Sequence, residues 1–171
     1  MPAERSSQIT TPAEAVAYYR ANLSGPRTVT VQRSGCEQRL TVVFEADGTH
    51  VFSVAVKPGE PAPDPADLIE RKIPMGGGRH RVEQRRFSLE RARLMDEVLR
   101  ALSVFSVAVP EAGGRPGNQK TIVYGPALPS GERMRVVLRP GPGDARTCVS
   151  GYPVSGGVWL AACRLRRARF P

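Results

Sequence analysis

The chain has 171 residues, 40% of them hydrophobic and 24% charged, which is the composition of a globular protein with its own core rather than of a disordered chain. Its formal net charge is +9 at pH 7, and the excess rises from 0 over residues 1–60 to +2 over 61–110 and +7 over 111–171. No stretch approaches the roughly 18 apolar residues of a membrane span, and the N-terminus lacks the layout of a cleavable signal peptide. We therefore expect no membrane partner, and either a cytoplasmic location or delivery by a phage or a secretion system.

The first part of the chain has the pattern of a helix followed by strands. Residues 1–10 are polar and are predicted to be disordered. The sequence TPAE at 11–14 is a capping box with proline at the first helical position, which predicts a helix from there to about residue 23. Three strands are predicted next, over 28–32, 40–45 and 50–56, with Asp47-Gly48 as the hairpin turn before the last one.

A connection rich in proline and glycine completes this first part, which we assign to residues 11–79. Four prolines between residues 57 and 65 exclude regular structure there, and residues 66–73 are predicted to form a short helix. The triple glycine at 76–78 lacks the spacing of a phosphate-binding loop, so it indicates a flexible hinge or loop.

The second part, residues 80–165, has the strongest helix and strand signals. Ser88 is a good N-cap, and the apolar residues after it follow one helical face as far as Leu102. Alternating residues predict strands over 120–124, 133–139 and 145–152, and an edge strand over 158–165. The basic tail at 166–171 suits either a clamp on nucleic acid or a solubilising end. We predict an α+β fold, an antiparallel sheet flanked by helices, with two helix-plus-strands lobes in one domain.

Four strings of this second part resemble a known family. They are RFSLERAR at 86–93, KTIVY at 120–124, RMRVVL at 133–138 and RTCVSGYP at 146–153. They resemble the barnase, EndoU, colicin and RelE-like (BECR-fold) nucleases, in the branch that is associated with phage proteins or polymorphic toxins. The resemblance implies a metal-independent, toxin-type endoribonuclease that needs no cofactor. Its expected partners are RNA and an acidic immunity or inhibitor protein.

Metal-free RNA cleavage defines which side chains to look for. The 2′-hydroxyl attacks the adjacent phosphate, so the site needs a proton acceptor, a proton donor and cations that face the phosphoryl oxygens. His80 is the preferred acid or base because its arginine neighbours favour the neutral imidazole, whereas His50 suits a strand end unless the first strands bring it to the same cleft. The resemblance adds Arg91 as the phosphate ligand. The catalytic candidates are His80, Arg91, Lys120, Tyr124, Thr147 and Tyr152.

Strand parity limits which candidates share a face. Lys120 and Tyr124 are four residues apart and lie on one face of a regular strand, whereas Thr147 and Tyr152 lie on opposite faces unless a bulge intervenes. The residues predicted to bind nucleic acid are Arg93, Arg133, Arg135, Arg139 and Arg146.

A metal site is not expected, because the three cysteines form no CxxC pair and only two histidines are present. Two other functions remain open. One is a non-catalytic module that binds nucleic acid or a phage or secretion component, and the other is an accessory domain whose arginines have no binding role. The nuclease predicts His80, Arg91 and Lys120 or Tyr124 in one cleft, the binding module predicts a basic face without an acid and a base, and the accessory domain predicts dispersed arginines.

Overall fold

The computed structural model describes residues 5–33, 36–105, 107–111 and 117–169. These residues form an α+β fold with one six-stranded sheet and one three-stranded sheet. In chain order the elements are α1 (Pro12–Asn22), β1 (Gly25–Arg33), β2 (Cys36–Phe44), α2 (Thr49–Phe52), β3 (Ser53–Ala55), β4 (Leu68–Gly76), β5 (Arg79–Phe87), α3 (Leu89–Arg93), α4 (Met95–Ser103), β6 (Val107–Pro110), β7 (Thr121–Ala127), β8 (Arg133–Pro140), β9 (Arg146–Val154) and α5 (Gly156–Arg169).

The six-stranded sheet has the order β1-β2-β9-β8-β7-β6 and combines both halves of the chain. Its neighbours are antiparallel except for β2 and β9, which pair in parallel over Val42–Phe44 and 146–148. The sequence predicted an antiparallel sheet and two lobes. The sheet is instead mixed, because the hairpin of β1 and β2 adds to the edge of β9 rather than forming a lobe of its own.

The main core lies between one face of this sheet and helices α1 and α4. The alternating residues of β8 separate its two faces, with Met134, Val136 and Leu138 buried in the core, and Arg133, Arg135 and Arg139 on the other face together with Val137. Glycines let α4 lie close to the sheet, since a Cβ at Gly151 would lie 2.7 Å from Val98 Cγ2. The basic face of β8 and β9 is therefore left for other contacts.

Helix α5 covers part of the opposite face, over β6 and β7. Residues 158–165 were predicted to be an edge strand, but they lie within α5. Trp159, Ala162 and Cys163 follow the helical spacing i, i+3, i+4 and pack against Val107 and Tyr124. The helix continues through Arg169, and the end of the predicted basic tail, 170–171, lies outside the described residues.

The three-stranded sheet has the order β3-β5-β4 and consists mainly of the hairpin of β4 and β5. The helix predicted over 66–73 is part of β4, where half-buried Ile69, Arg71 and Ile73 alternate with exposed Glu70 and Lys72. That period of two favours a strand. The strand predicted over 50–56 is short helix α2 followed by β3.

Two further differences from the sequence expectations concern local order. The helix predicted from Ser88 is divided into α3 and α4 at Leu94, with Ser88 Oγ accepting from the Arg91 N–H at 3.4 Å. Residues 6–8 form a turn of 3₁₀ helix and Ile9 is fully buried, where disorder was predicted; residues 1–4 lie outside the described part. None of the described helices has the length and hydrophobicity of a membrane-spanning segment.

Candidate functional site

A polar cavity of about 300 Å³ lies where the two sheets approach each other. The loop after β2, helices α2 and α3, the base of the β4–β5 hairpin, and strands β8 and β9 all contribute to its wall. The lining residues are Glu45, His50, Arg71, Glu83, Arg85, Arg91, Arg139, Val149, Ser150 and Tyr152. Four of them are arginines and two are glutamates, so the lining has a net positive charge that suits an anion.

The strand arrangement explains where the cavity opens. β2 ends at Phe44, whereas its parallel neighbour β9 continues to Val154, so a crevice forms where the two strands separate. A bulge in β9 adds to it, because Val137 pairs with Ser150 while Leu138 pairs with Cys148, leaving Val149 as the extra residue. The bulge directs Val149, Ser150 and Tyr152 to the cavity wall.

The loop that carries Glu45 is fixed by Tyr19 of α1. The Tyr19 hydroxyl donates to the backbone oxygen of Glu45 at 2.6 Å. The same ring packs on Gly48, where an added Cβ would lie 2.1 Å from Tyr19 Cε1 and where φ is +53°. Asp47 Oδ1 then accepts from Thr49 N at 3.1 Å and from Thr49 Oγ1 at 3.2 Å. Asp47-Gly48 therefore starts α2 rather than making the predicted hairpin turn.

His50 lies on α2 with only 7% of its surface exposed. Its Nε2 is 3.3 Å from the backbone oxygen of Cys148, which can only accept, so Nε2 carries the proton and Nδ1 keeps a lone pair. Among the described residues, Nδ1 is the buried side-chain polar atom without a partner. Burial lowers the pKa of His50, and Arg71 lowers it further, against the opposing effect of the Cys148 oxygen and the nearby carboxylates. The imidazole is therefore a neutral base.

Two carboxylates face the two ring nitrogens of His50. Glu45 Oε2 lies 4.0 Å from Nε2, and Asp47 Oδ1 lies 4.0 Å from Nδ1. Arg71 binds both carboxylates, at 3.1 Å to Glu45 and 3.3 Å to Asp47, and Arg139 binds Glu45 from β8. Although burial acts to raise the pKa of Asp47, the Thr49 N–H and Arg71 lower it overall. An imidazolium formed at His50 would be stabilised from both sides.

Arg85 and Arg91 approach the cavity from β5 and α3, and both bind Ser53. Arg85 donates to Ser53 Oγ at 2.7 Å and to Ser53 O at 3.1 Å, and Arg91 donates to the same backbone oxygen at 3.0 Å. The Arg91 guanidinium also lies 4.8 Å from the centre of the Tyr152 ring. Burial lowers the pKa of Arg91 from its ordinary value, which nevertheless leaves it charged at neutral pH.

The structure also gathers three groups that can bind a metal. Ligand atoms of Glu45, Asp47 and His50 all lie within 4.8 Å of one another, whereas the sequence indicated no such cluster. Arg71 and Arg139 already bind both carboxylates, so a cation would compete with two guanidinium groups. As for the cysteines, Cys148 and Cys163 are free thiols, and the side chain of Cys36 lies outside the described part.

The structure brings some of the predicted catalytic residues together and separates others. Arg91 and Tyr152 line the cavity. His80 is exposed near the tip of the β4–β5 hairpin, and Lys120 lies 3.5 Å from Glu111 beside the sheet edge. Tyr124 is buried under α5 and Thr147 is buried in β9, so neither reaches the cavity.

The predicted nucleic-acid-binding arginines also divide. Arg139 lines the cavity, and Arg135 donates to the Tyr152 hydroxyl at its edge. Arg133 instead stacks on Trp159 at 3.8 Å, and Arg93 donates to the backbone oxygen of Ile9 at 3.0 Å. Arg146 begins β9 and does not line the cavity.

Sequence reasoning missed Glu45, Asp47, Arg71 and Arg85 as site residues. Arg71 and Arg85 lie outside the segments whose strands were predicted, so no signal placed them near β9. The alternation of Ile69, Arg71 and Ile73 was the available indication, because it gives Arg71 the same orientation as two residues that prefer burial. His50 was considered for the cleft but ranked below His80.

Comparison with protein-family models, with curated proteins and with solved structures found no match to this chain.

Proposed function

We propose that this protein is a metal-independent endoribonuclease that cuts RNA by attack of the 2′-hydroxyl on the adjacent phosphate. The observation that carries the proposal is the convergence, in one cavity, of four arginines with a nearly buried imidazole flanked by two carboxylates. Arginines bind phosphate and stabilise the charge that develops on its oxygens, and a neutral imidazole accepts a proton. A basic face alone would supply only binding.

His50 is the proposed proton acceptor. It takes the proton of the RNA 2′-hydroxyl on Nδ1 as O2′ forms a bond to phosphorus, and Glu45 and Asp47 stabilise the imidazolium that results. Because Nδ1 is buried beside Asp47 in the free protein, this step requires RNA binding to shift the loop after β2 and expose Nδ1. The low pKa of His50 keeps the imidazole unprotonated and able to accept at neutral pH. Arg85 and Arg91, which share Ser53 O as an acceptor, are the proposed ligands of the phosphoryl oxygens.

Tyr152 is the proposed proton donor to the leaving oxygen. Its hydroxyl oxygen accepts from Arg135, so its own proton remains available for donation. As the bond from phosphorus to O5′ breaks, this proton passes to O5′. The products are a 2′,3′-cyclic phosphate and a free 5′-hydroxyl, and the reaction consumes no metal or cofactor.

The toxin-type role and the acidic immunity or inhibitor protein rest on the resemblance of residues 86–153 to the BECR-fold nucleases. Two of the resembling strings supply Arg91 and Tyr152, which lie together in the cavity. An acidic protein that covered the cavity would block access to its arginines. This gives the proposal an expected partner of opposite charge.

The test is cleavage of a short labelled RNA in excess EDTA, with identification of the product ends. We expect cleavage to survive chelation and to leave 2′,3′-cyclic phosphate. His50→Gln preserves a donor to the Cys148 oxygen but removes the base, and Arg91→Ala removes a phosphate ligand. Each should lower kcat by about 10²–10⁴-fold.

The matched control is Arg100→Ala, which removes an exposed arginine of α4 that pairs with Glu97 and does not line the cavity. It should cleave within about twofold of the wild type, and thermal unfolding should show that all variants are folded. Cleavage that requires a divalent metal would assign the cluster of Glu45, Asp47 and His50 to metal chemistry and overturn the proposed mechanism. RNA that stays intact but is bound in a salt-sensitive manner would support the non-catalytic binding module instead.

A further inference from the structure

The outer part of the β4–β5 hairpin, residues 72–82, extends beyond the rest of the fold. We call it the distal hairpin. Every residue from 74 to 82 is exposed, including the apolar side chains of Met75 and Val82, which are 62% and 50% exposed. Its tip is the triple glycine, whose three residues all have positive φ and open space at the Cβ position. An isolated two-stranded hairpin without a hydrophobic core on either face is only marginally stable, so packing within this protein does not explain why the hairpin extends so far.

The charge of the distal hairpin has one sign. It contains Lys72, Arg79 and Arg81 and no acidic residue, whereas the glutamates of this hairpin, Glu70 and Glu83, lie nearer its base. An exposed ribbon with positive charge alone attracts a polyanion and repels basic surfaces. Lysines and arginines at a strand edge also discourage pairing with another sheet.

The distal hairpin continues the wall of the cavity. Side chains two residues apart on a strand share a face, so Arg79, Arg81, Glu83 and Arg85 of β5 point to the same side. Glu83 and Arg85 line the cavity, and so does Arg71, which pairs with Glu83 across the hairpin. The bulge of this hairpin lies in β4, between Pro74 and Gly76, and leaves the parity of β5 unchanged.

These positions form a path of about 14 Å from Arg85 at the cavity to Arg81, at roughly 3.4 Å per residue, and about 20 Å to Arg79. A dinucleotide bound at the cavity would not reach the distal hairpin, but a longer strand would. The positive face that starts at Arg85 and resumes at Arg81 therefore fits a polyanion that enters the cavity at one point.

We propose that the distal hairpin binds the single RNA strand that leaves the cavity, with Arg79 and Arg81 on its phosphates. The proposal rests on the proposed ribonuclease function and names its substrate as a chain longer than a dinucleotide. Exposed Met75, at the bulge of β4, offers apolar contact to unstacked bases, which a single strand presents and a duplex does not. The hairpin supplies binding and takes no part in the chemical step.

The test uses the double variant Arg79→Glu/Arg81→Glu. Its matched control is Arg20→Glu/Arg100→Glu, which reverses the charge of two exposed arginines on α1 and α4 that line neither the cavity nor the hairpin. Both pairs make the same change in net charge. Binding of a fluorescent 12-nucleotide RNA is measured by anisotropy in the His50→Gln background, so that cleavage does not intervene.

We expect the hairpin variant to raise Kd at least tenfold and the control to raise it less than about threefold. The slope of log K against log salt should become shallower by about 1.4 in the hairpin variant, at roughly 0.7 for each phosphate of a single strand that the protein no longer neutralises. In the cleaving background, the hairpin variant should raise KM for the 12-nucleotide RNA and leave kcat/KM for a dinucleoside monophosphate unchanged.

Equal loss of binding in the two variants, or no loss in either, would overturn the proposal. So would a wild type that does not bind the RNA but binds acidic polyglutamate through the hairpin, because the partner would then be an acidic protein. If the hairpin variant loses binding as expected while the wild type cleaves no RNA, the RNA-binding hairpin stands and the ribonuclease function fails.

Discussion

His50 combines burial with an unsatisfied nitrogen. A histidine at 7% exposure commonly has both ring nitrogens bonded, but here Nδ1 has no partner and Asp47 is 4.0 Å away. An unpaired buried acceptor destabilises the folded state, by about 1–3 kcal/mol in typical cases. An unpaired buried polar atom calls for an explanation other than stability, and the proposed role as a base supplies one.

The low pKa of His50 predicts how stability depends on pH. In the unfolded chain this histidine takes up a proton as the pH falls through about 6.5, whereas burial keeps it neutral in the folded protein. The unfolded state then binds more protons, so the stabilisation present above pH 6.5 is lost progressively as the pH falls toward the folded pKa. We expect the free energy of unfolding to decrease from pH 7 to pH 5.

Urea unfolding of the wild type and of His50→Gln at half-unit pH steps checks this expectation. The variant has no imidazole at position 50, so its free energy of unfolding should decrease less over the same interval. Parallel curves for the two proteins would show that His50 has the same proton affinity in both states, against the burial that lowers its pKa.

The sequence identified residues of the cavity correctly only in segments whose helix or strand was also predicted correctly. Arg91, Arg139 and Tyr152 were named as site residues, and they lie at the cavity because helix and strand signals were strong around them. His80 was preferred over His50 as the acid or base because it has arginine neighbours in the sequence. The parallel pairing of β2 with β9 reverses that order, because it brings the loop after β2, and His50 of α2 which follows it, to the same sheet as Tyr152.

At the scale of elements, local sequence patterns predicted most strands. They failed where contacts between residues distant in the sequence determine the secondary structure. β1, β2, β7, β8 and β9 follow alternation and turn residues and lie where they were expected. The hairpin of β4 and β5 was missed because glycine and proline dominate the sequence around it while its strands are stabilised by pairing with each other. The predicted strand at 158–165 is helical, since its apolar residues pack as one face of α5.

The N-terminal segment was predicted to be disordered because its sequence is polar, but two elements hold it in place. Asp96, in the first turn of α4, accepts from Ser6 N at 3.0 Å and from the hydroxyl of Tyr18. Ser6 Oγ donates to Arg93 O at 2.8 Å. Burial, and then the bond to Asp96, raises the pKa of Tyr18 to about 12. The polar residues of this segment therefore form hydrogen bonds with partly buried protein groups instead of with water.

Replacing Asp96 should therefore separate the N-terminal segment and α1 from α4. Asp96→Ala leaves the Ser6 N–H and the Tyr18 hydroxyl without an acceptor, so we expect the free energy of unfolding to fall by about 1–3 kcal/mol. The control is Glu97→Ala on the same helix, which removes an ion pair with exposed Arg100 and should change stability by less than about 1 kcal/mol. Urea unfolding measures both, and equal effects would contradict the role of Asp96.

For the whole molecule, the junction between the two sheets is also the candidate site, the polar cavity. Glu45 follows the last residue of β2 and accepts from Arg71 of the three-stranded sheet and from Arg139 of the six-stranded sheet. One carboxylate thus holds both sheets by charge-assisted bonds while facing the Nε2 atom of His50. Together with the ion pair of Arg71 and Asp47, this residue holds the β4–β5 hairpin, and with it the proposed path of the RNA, in position.

Glu45→Gln tests that dependence. The neutral amide cannot neutralise two guanidinium groups, so we expect the free energy of unfolding to fall by about 1–3 kcal/mol. Because Arg71 of the three-stranded sheet then keeps only its ion pair with Asp47, amide hydrogen exchange should accelerate in β4 and β5 more than in β1. Glu83→Gln is the matched control, since Glu83 binds Arg85 of its own strand and joins no second sheet. Exchange that accelerates equally in the hairpin of both variants would show that Glu45 does not hold the sheets together.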